Sequence, residues 1–185
     1  MGEQHKKHNR REHLNDFHLN VAGEYVYDGA LYACQNDDAK QRRSKRAVWG
    51  MAAILTVAVA AGGCIPAPGM QNCFYVLLPY LGEFLGAASV IWALAKLGTD
   101  WSTVREYNYK KSVAVLPVRT AVTAVFSLLG VVCELIFFFV NDHAGQTFFA
   151  LLYVLLKLIA LLSVLVLRAE IMQAEWDKLP KKNNS

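Results

Sequence analysis

Residues Asn72 to Leu97 read NCFYVLLPYLGEFLGAASVIWALAKL, an apolar run into which one carboxylate, Glu83, is set. At about 1.5 Å of rise per residue the run can cross a hydrocarbon core of about 30 Å, and Glu83 then falls near the midplane. An acid at that depth is costly and marks a position that faces protein or a polar pathway. The rest of the chain is read around it.

Of the 185 residues, 55% are hydrophobic, and they are gathered into four blocks at about 47–64, 74–97, 117–140 and 147–167. Each is close to the ~20 residues that a spanning helix requires. The pattern predicts an all-α integral membrane protein, a four-transmembrane-helix bundle over 47–167 with short interfacial helices. A polar and basic segment, 1–46, precedes the bundle and a charged tail, 168–185, follows it. The first block starts at Ala47, too far along to be a cleavable signal, and Lys6 stands where a myristoylation motif wants Ser or Thr.

The net charge of +4 matters less than its placement. With the four blocks as spans, eighteen of the 19 Lys and Arg fall toward one side, Lys96 and Arg119 among them just inside span ends, the last is Lys157 within the fourth span, and the two opposite loops hold none. The positive-inside rule then makes both termini and the loop between the second and third spans cytoplasmic. A multi-pass integral membrane protein is expected, with the plasma membrane as its expected location. Lys40, Arg42, Arg43, Lys45 and Arg46 are placed to contact anionic headgroups, so the bilayer, not a nucleic acid, is the partner of the basic excess.

His5, His8, His13 and His18 match no compact ligand spacing, and the sequence implies neither a metal nor a cofactor. Asp28-Gly29, between Tyr25-Val26-Tyr27 and Ala30-Leu31-Tyr32, suits a hairpin turn. Asp28 can equally cap a short helix over 29–34, the reading that Ala30, Leu31 and Cys34 favour. Asp37-Asp38 can start the helix that runs through the basic segment into the first span, with Trp49 at the headgroup level.

The small residues of the first span, from Ala52 to Gly63, are expected to pack against Gly82 and Gly86 of the second. Cys64 and Cys73 flank a short loop and can form a disulfide in an oxidising compartment. Thr103 and Glu106 match a capping box for a short helix, and Pro117 is placed to open the third span. The tail is expected to continue as a charged helix up to Pro180.

Helical spacing also assigns faces to the intramembrane charges. Thr120, Thr123, Ser127, Gly130 and Glu134 recur at steps of three and four, so they share one stripe of the third span. Pro79 and Glu83 share a face of the second span, and Tyr153 and Lys157 share one of the fourth. Glu83, Glu134 and Lys157 each lie roughly 6 to 12 residues from the outer end, so one polar network of Glu83, Glu134, Lys157, Tyr153 and Ser127, beside a kink at Pro79, is geometrically open.

Two acids and one base do not balance, which calls for a proton, a cation or a partner's cation. No motif for hydrolysis, phosphate binding or metal catalysis is present. The sequence thus favours a structural or accessory subunit, or an assembly factor, that associates with another membrane protein or with its own copies. A small proton- or cation-coupled transporter or channel using Glu83 and Glu134 is the alternative.

Overall fold

The structure, a computed structural model, describes residues 17–19, 23, 25–27, 29–141 and 147–179. In chain order the elements are β1 (Phe17–Leu19), β2 (Tyr25–Tyr27), β3 (Leu31–Cys34), α1 (Asp38–Cys64), α2 (Pro68–Asn72), α3 (Phe74–Leu97), β4 (Val104–Arg105), α4 (Glu106–Lys111), α5 (Leu116–Val140), α6 (Thr147–Met172) and β5 (Trp176–Lys178). Among them α1, α3, α5 and α6 are long and apolar enough to cross a membrane.

Each long helix buries one stripe. In α5 it is Leu116, Thr120, Thr123, Ser127, Gly130, Glu134 and Phe137. In α6 it is Ala150, Tyr153, Lys157, Ala160, Val164, Leu167 and Ile171. These are steps of three and four, so one side of each helix faces the bundle. The opposite sides carry large apolar residues in the open, such as Leu85, Trp92, Val118, Leu151 and Leu162. A surface of that kind suits lipid and would be a liability in water.

The bundle is not paired in the order that glycine spacing predicts. Helix α1 packs chiefly on α6, α6 on α5, and α5 on α3, while α1 and α3 touch only lightly. The buried stripe of α1, with Ala52, Leu55, Ala58, Val59 and Gly62, turns mainly to α6, and Gly62 lies beside the Tyr153 ring, while Gly63 receives Tyr80 of α3. Gly82 and Gly86 serve α5 instead, since a Cβ on the first would strike Phe126 and one on the second Thr123. Their small size is used as expected, but toward a different neighbour.

The end of the bundle that holds the α1 N-terminus and the α6 C-terminus is closed by a small layer. Strand β3 is central in a three-stranded antiparallel sheet, pairing Tyr32 with Val104 of β4, and Ala33 and Cys34 with Asp177 and Trp176 of β5. Beneath it Cys34, Val48, Trp101, Val104, Leu116, Leu167 and Ile171 form a buried apolar cluster. Tyr32 and Tyr109 stack with centroids 4.1 Å apart, and Trp176 packs on both Tyr109 and Trp101. Gly98 ends α3 at φ +70° and donates its N–H to Leu94 O, a conformation that favours glycine.

This layer corrects several sequence expectations. Residues 29–34 do not form a helix, because β3 finds ladder partners some 70 and 145 positions further along the chain that no local propensity reports. Nor do the strands flanking Asp28-Gly29 pair as a hairpin: β2 pairs with β1, and β3 with β4 and β5. The tail past Met172 turns into strand β5 instead of continuing as a helix to Pro180, since Trp176 is drawn into the aromatic cluster. The architecture is therefore mostly helical rather than wholly so. The capping box does not form: α4 begins at Glu106 behind Arg105, and Thr103 Oγ1 turns to Asp100. Pro117 does stand in the first turn of α5. Of the four N-terminal histidines, His5, His8 and His13 lie outside the described residues, and His18 falls within β1.

The tightest helix contact yields a test. At Gly86 a Cβ would sit 3.3 Å from the Thr123 backbone, which cannot swing aside, so Gly86→Leu is expected to destabilise the detergent-solubilised protein by about 1–3 kcal/mol through overpacking. At Gly50 a Cβ meets nothing within 4 Å, so Gly50→Ala is expected to leave the thermal unfolding midpoint unchanged or slightly raised. Equal losses for both variants in a thermal melt would contradict this helix pairing.

Candidate functional site: a buried polar centre between the helices

Glu83 lies on the buried stripe of α3 and Lys157 on that of α6, helices that stand across the bundle from each other. Their side chains meet in the middle as an ion pair: the Lys157 ammonium donates to Glu83 Oε2. Glu83 is 0% exposed and Lys157 2%. The other carboxylate oxygen, Oε1, accepts from Ser127 Oγ of α5 at 2.7 Å. Both oxygens of the acid are thus engaged, by two different helices.

The surroundings of the ammonium are aromatic. Its nitrogen lies 4.5 Å from the centroid of Tyr80 on α3 and 5.1 Å from that of Tyr153 on α6. At those distances a desolvated cation gains about 2 kcal/mol from a ring face. The aliphatic part of Lys157 runs beside Gly130 of α5, where a Cβ would lie 3.6 Å from Cδ. Tyr80 extends the set to the fourth helix, because its hydroxyl donates to Val59 O of α1 at 3.4 Å. One acid, one base, one serine and two tyrosines therefore tie together all four long helices.

The physical balance is specific. Taking each ion out of water costs several kcal/mol, and attraction in a low dielectric repays it only with good geometry and further hydrogen bonds. Here Ser127 supplies the hydrogen bond and the rings of Tyr80 and Tyr153 face the ammonium. Tyr153 is itself fully buried, and its hydroxyl meets no hydrogen-bond partner among the described residues.

The structure does not gather every residue of the network read from the sequence. Glu134 is 0% exposed but lies two turns beyond Ser127 on α5, roughly 10 Å along the axis. Its carboxylate sits against Gly69 of α2, where any Cβ would collide with it. The salt bridge of Lys157 is to Glu83. Pro79 is buried in α3 one turn before Glu83, and the helix continues through it.

Cys64 and Cys73, the pair that the sequence offers for a disulfide, stand as free cysteines in the structure, the first exposed and the second half-buried. The loop between them is held instead by packing: Ala67 is fully buried, Pro68 and Gly69 begin the short helix α2, and Val76, Phe137 and Tyr153 close over it. Of the headgroup set, Lys40, Arg42, Arg43 and Arg46 are exposed on the first turns of α1, whereas Lys45 is half-buried 5.8 Å from the Trp101 ring.

Two participants escaped the sequence reading. Tyr80 stands three residues before Glu83 on the same face, a spacing that would have found it, but an aromatic in a spanning run reads first as a lipid anchor. Gly69 gave no signal, because the collapse of the Pro68 loop onto Glu134 is a tertiary event. No protein family, characterised protein or solved structure matches this chain. Its role is therefore argued from the site.

Removing one member of the centre should be far worse than trimming its edge. Lys157→Met leaves the Glu83 carboxylate buried without its cation and is expected to cost roughly 3–5 kcal/mol. Ser127→Ala removes one donor to a charged acceptor and is expected to cost about 1–3 kcal/mol. Unfolding of the two variants in mixed detergent, followed by tryptophan fluorescence, checks the order; a Lys157→Met protein as stable as the parent would contradict the pairing.

Proposed function

We propose that this chain is a multi-pass membrane protein with a structural role, an accessory subunit or assembly factor of a membrane complex, with both termini cytoplasmic. The observation that carries the reading is the closure of the central ion pair. Lys157 is enclosed by Glu83, Tyr80 and Tyr153, and Glu83 is satisfied on both oxygens, so the centre acts as an internal strut that holds four helices in one arrangement. Polar contacts of this kind between spanning helices serve association.

The capped end supports the same reading. The sheet of β4, β3 and β5, with Tyr32, Tyr109 and Trp176 against it, gives the charged side a defined platform that a partner can dock on. The distribution of Lys and Arg supports the cytoplasmic assignment of that side.

One observation favours a second reading. Glu134 and Glu83 are both fully buried acids, on the stripes of α5 and α3 that face the bundle. Two buried acids inside a spanning bundle suit a proton- or cation-coupled transporter or channel.

Two measurements on the same preparation separate the readings. The structural role predicts that the protein leaves its native membrane in mild detergent with a stoichiometric membrane partner, seen by mass spectrometry. It also predicts that reconstituted vesicles carry protons and sodium no faster than empty ones. Recovery alone, with a proton or sodium flux that Glu83→Gln abolishes, would overturn the structural role in favour of transport.

A further inference from the structure

The segment that joins α1 to α3 does not lie on the surface, as connections between helices normally do. Ala67, Pro68 and Gly69 are buried, and α2 packs on α3, α5 and α6. The segment has two faces. Ala67 joins Val76, Phe137 and Tyr153 in one buried cluster, while Pro66, Gln71 and Asn72 are exposed. Its backbone is satisfied from within: the N–H groups of Ala67, Gln71 and Cys73 donate to the carbonyls of Ile65, Ala67 and Gly69 at 2.8, 3.2 and 2.9 Å, and Asn72 Nδ2 donates to Pro68 O at 2.9 Å. Pro66 and Pro68 have no N–H to give. Among the described residues no hydrogen bond ties positions 65–72 to another long helix, so the unit rests on the bundle by packing.

Both ends of the unit are joints of extended backbone. Ile65, at φ −83° and ψ 134°, follows α1, and Cys73, at φ −133° and ψ 122°, precedes α3. Residues at the ends of elements are where rigid pieces hinge. Against the inward face lies Glu134, 0% exposed, six residues before the end of α5 or about 9 Å at the helical rise. It is the last polar member of the buried stripe that runs through Thr120, Thr123, Ser127 and Gly130 past the Glu83–Lys157 pair. Gly69 touches its carboxylate, and only a glycine lets the α2 backbone rest there, because a Cβ would overlap the acid. A self-contained piece with a joint at each end, laid on a buried acid, has the construction of a lid.

We propose that α2 and its two joints form a lid over the buried polar stripe at the end opposite the sheet, with Gly69 as the seal on Glu134, and that lifting it admits water to that acid. The proposal rests on the reading that the four long helices span a bilayer, and it adds a moving part to the structural role. Lifting α2 parts only small and apolar contacts. Opening the bundle between its long helices would instead separate Lys157 from Glu83 and Glu83 from Ser127. Water therefore reaches Glu134 first, while the central pair stays closed.

Carboxyl labelling of the full chain in detergent tests this, using a water-soluble carbodiimide with glycine ethyl ester. The reagent turns a water-accessible carboxyl into an amide and leaves as its urea, and peptide mass spectrometry follows each acid. In the parent, Asp38, exposed on α1, is expected to react fast, Glu134 slowly and Glu83 not at all in the same time. Gly69→Val props α2 off the carboxylate and is expected to raise the Glu134 rate roughly tenfold with Glu83 still unmodified. Hydrogen exchange of the parent keeps the test independent of how that variant folds. The bonded amides of Gln71 and Cys73 are expected to exchange roughly tenfold faster than those of α3 between 80 and 90.

Exchange of Gln71 and Cys73 as slow as that of α3 would overturn the proposal, since the segment would then be a fixed part of the core. So would a Glu134 rate that Gly69→Val leaves unchanged, with the carboxylate turning aside under a closed segment. A parent in which Glu134 reacts as fast as Asp38 has no seal and overturns it too. Alkaline washing of membranes separates the two levels. Release of the chain from washed membranes sinks the spanning reading and the lid with it, whereas a retained chain whose Glu134 ignores Gly69→Val sinks only the lid.

Discussion

A charged pair in the middle of an apolar bundle constrains everything around it. Once Glu83 and Lys157 are buried, each needs the other within contact distance, which fixes the separation and rotation of α3 and α6 together. Ser127 then fixes α5 against Glu83, and Tyr80 fixes α1 through Val59. Apolar residues alone would allow the helices to slide, because lipid tails and leucine side chains are equally good neighbours. The ion pair removes that freedom. Buried ionic groups as devices for specificity more than for net stability are a known use, and this centre fits it.

The same constraint shapes the edges of the bundle. With α3 committed to α5 through Gly82 and Gly86, and α1 committed to α6 through Ala52, Leu55 and Val59, the α1–α3 side is left thinly packed, bridged mainly by Tyr80. A groove results there. At the sheet end the opposite holds: Trp101, Leu116, Leu167 and Ile171 make a dense cluster, and Arg119 and Arg168 donate to the carbonyls of Ser89 and Pro117, tying α5 to its neighbours. One end of the molecule is therefore stapled by apolar packing and hydrogen bonds, and its middle by charge.

The helices and their inward faces could be read in the sequence, because length and a period of 3.6 residues dictate them with little help from tertiary structure. The stripe Thr120, Thr123, Ser127, Gly130 and Glu134 reappears residue for residue among the buried positions of α5. Helix order could not be read this way. Gly82 and Gly86 say that something approaches closely, but a glycine has no side chain to say what. The pairing of the strands was illegible for a different reason. The hairpin alternative marked 25–27 and 30–32 as extended, but the ladder partners of Leu31 to Cys34, Val104 and Trp176 among them, lie far off in sequence, beyond the reach of local propensity. At the polar centre, face and depth pointed to Glu83, Ser127, Tyr153 and Lys157. Neither could assign Lys157 to one of two acids, since that choice depends on side-chain reach across the bundle.

The account stands on the coupling between Glu83 and Lys157, and a double-mutant cycle measures it most directly. Glu83→Gln, Lys157→Met and the double variant would be unfolded reversibly in mixed micelles beside the parent. A pair that interacts in a dry interior predicts that the double variant is less damaged than the two single losses summed, with a coupling energy of about 2–3 kcal/mol. Additive losses, with a coupling near zero, would show that the two charges are stabilised independently and would contradict the account.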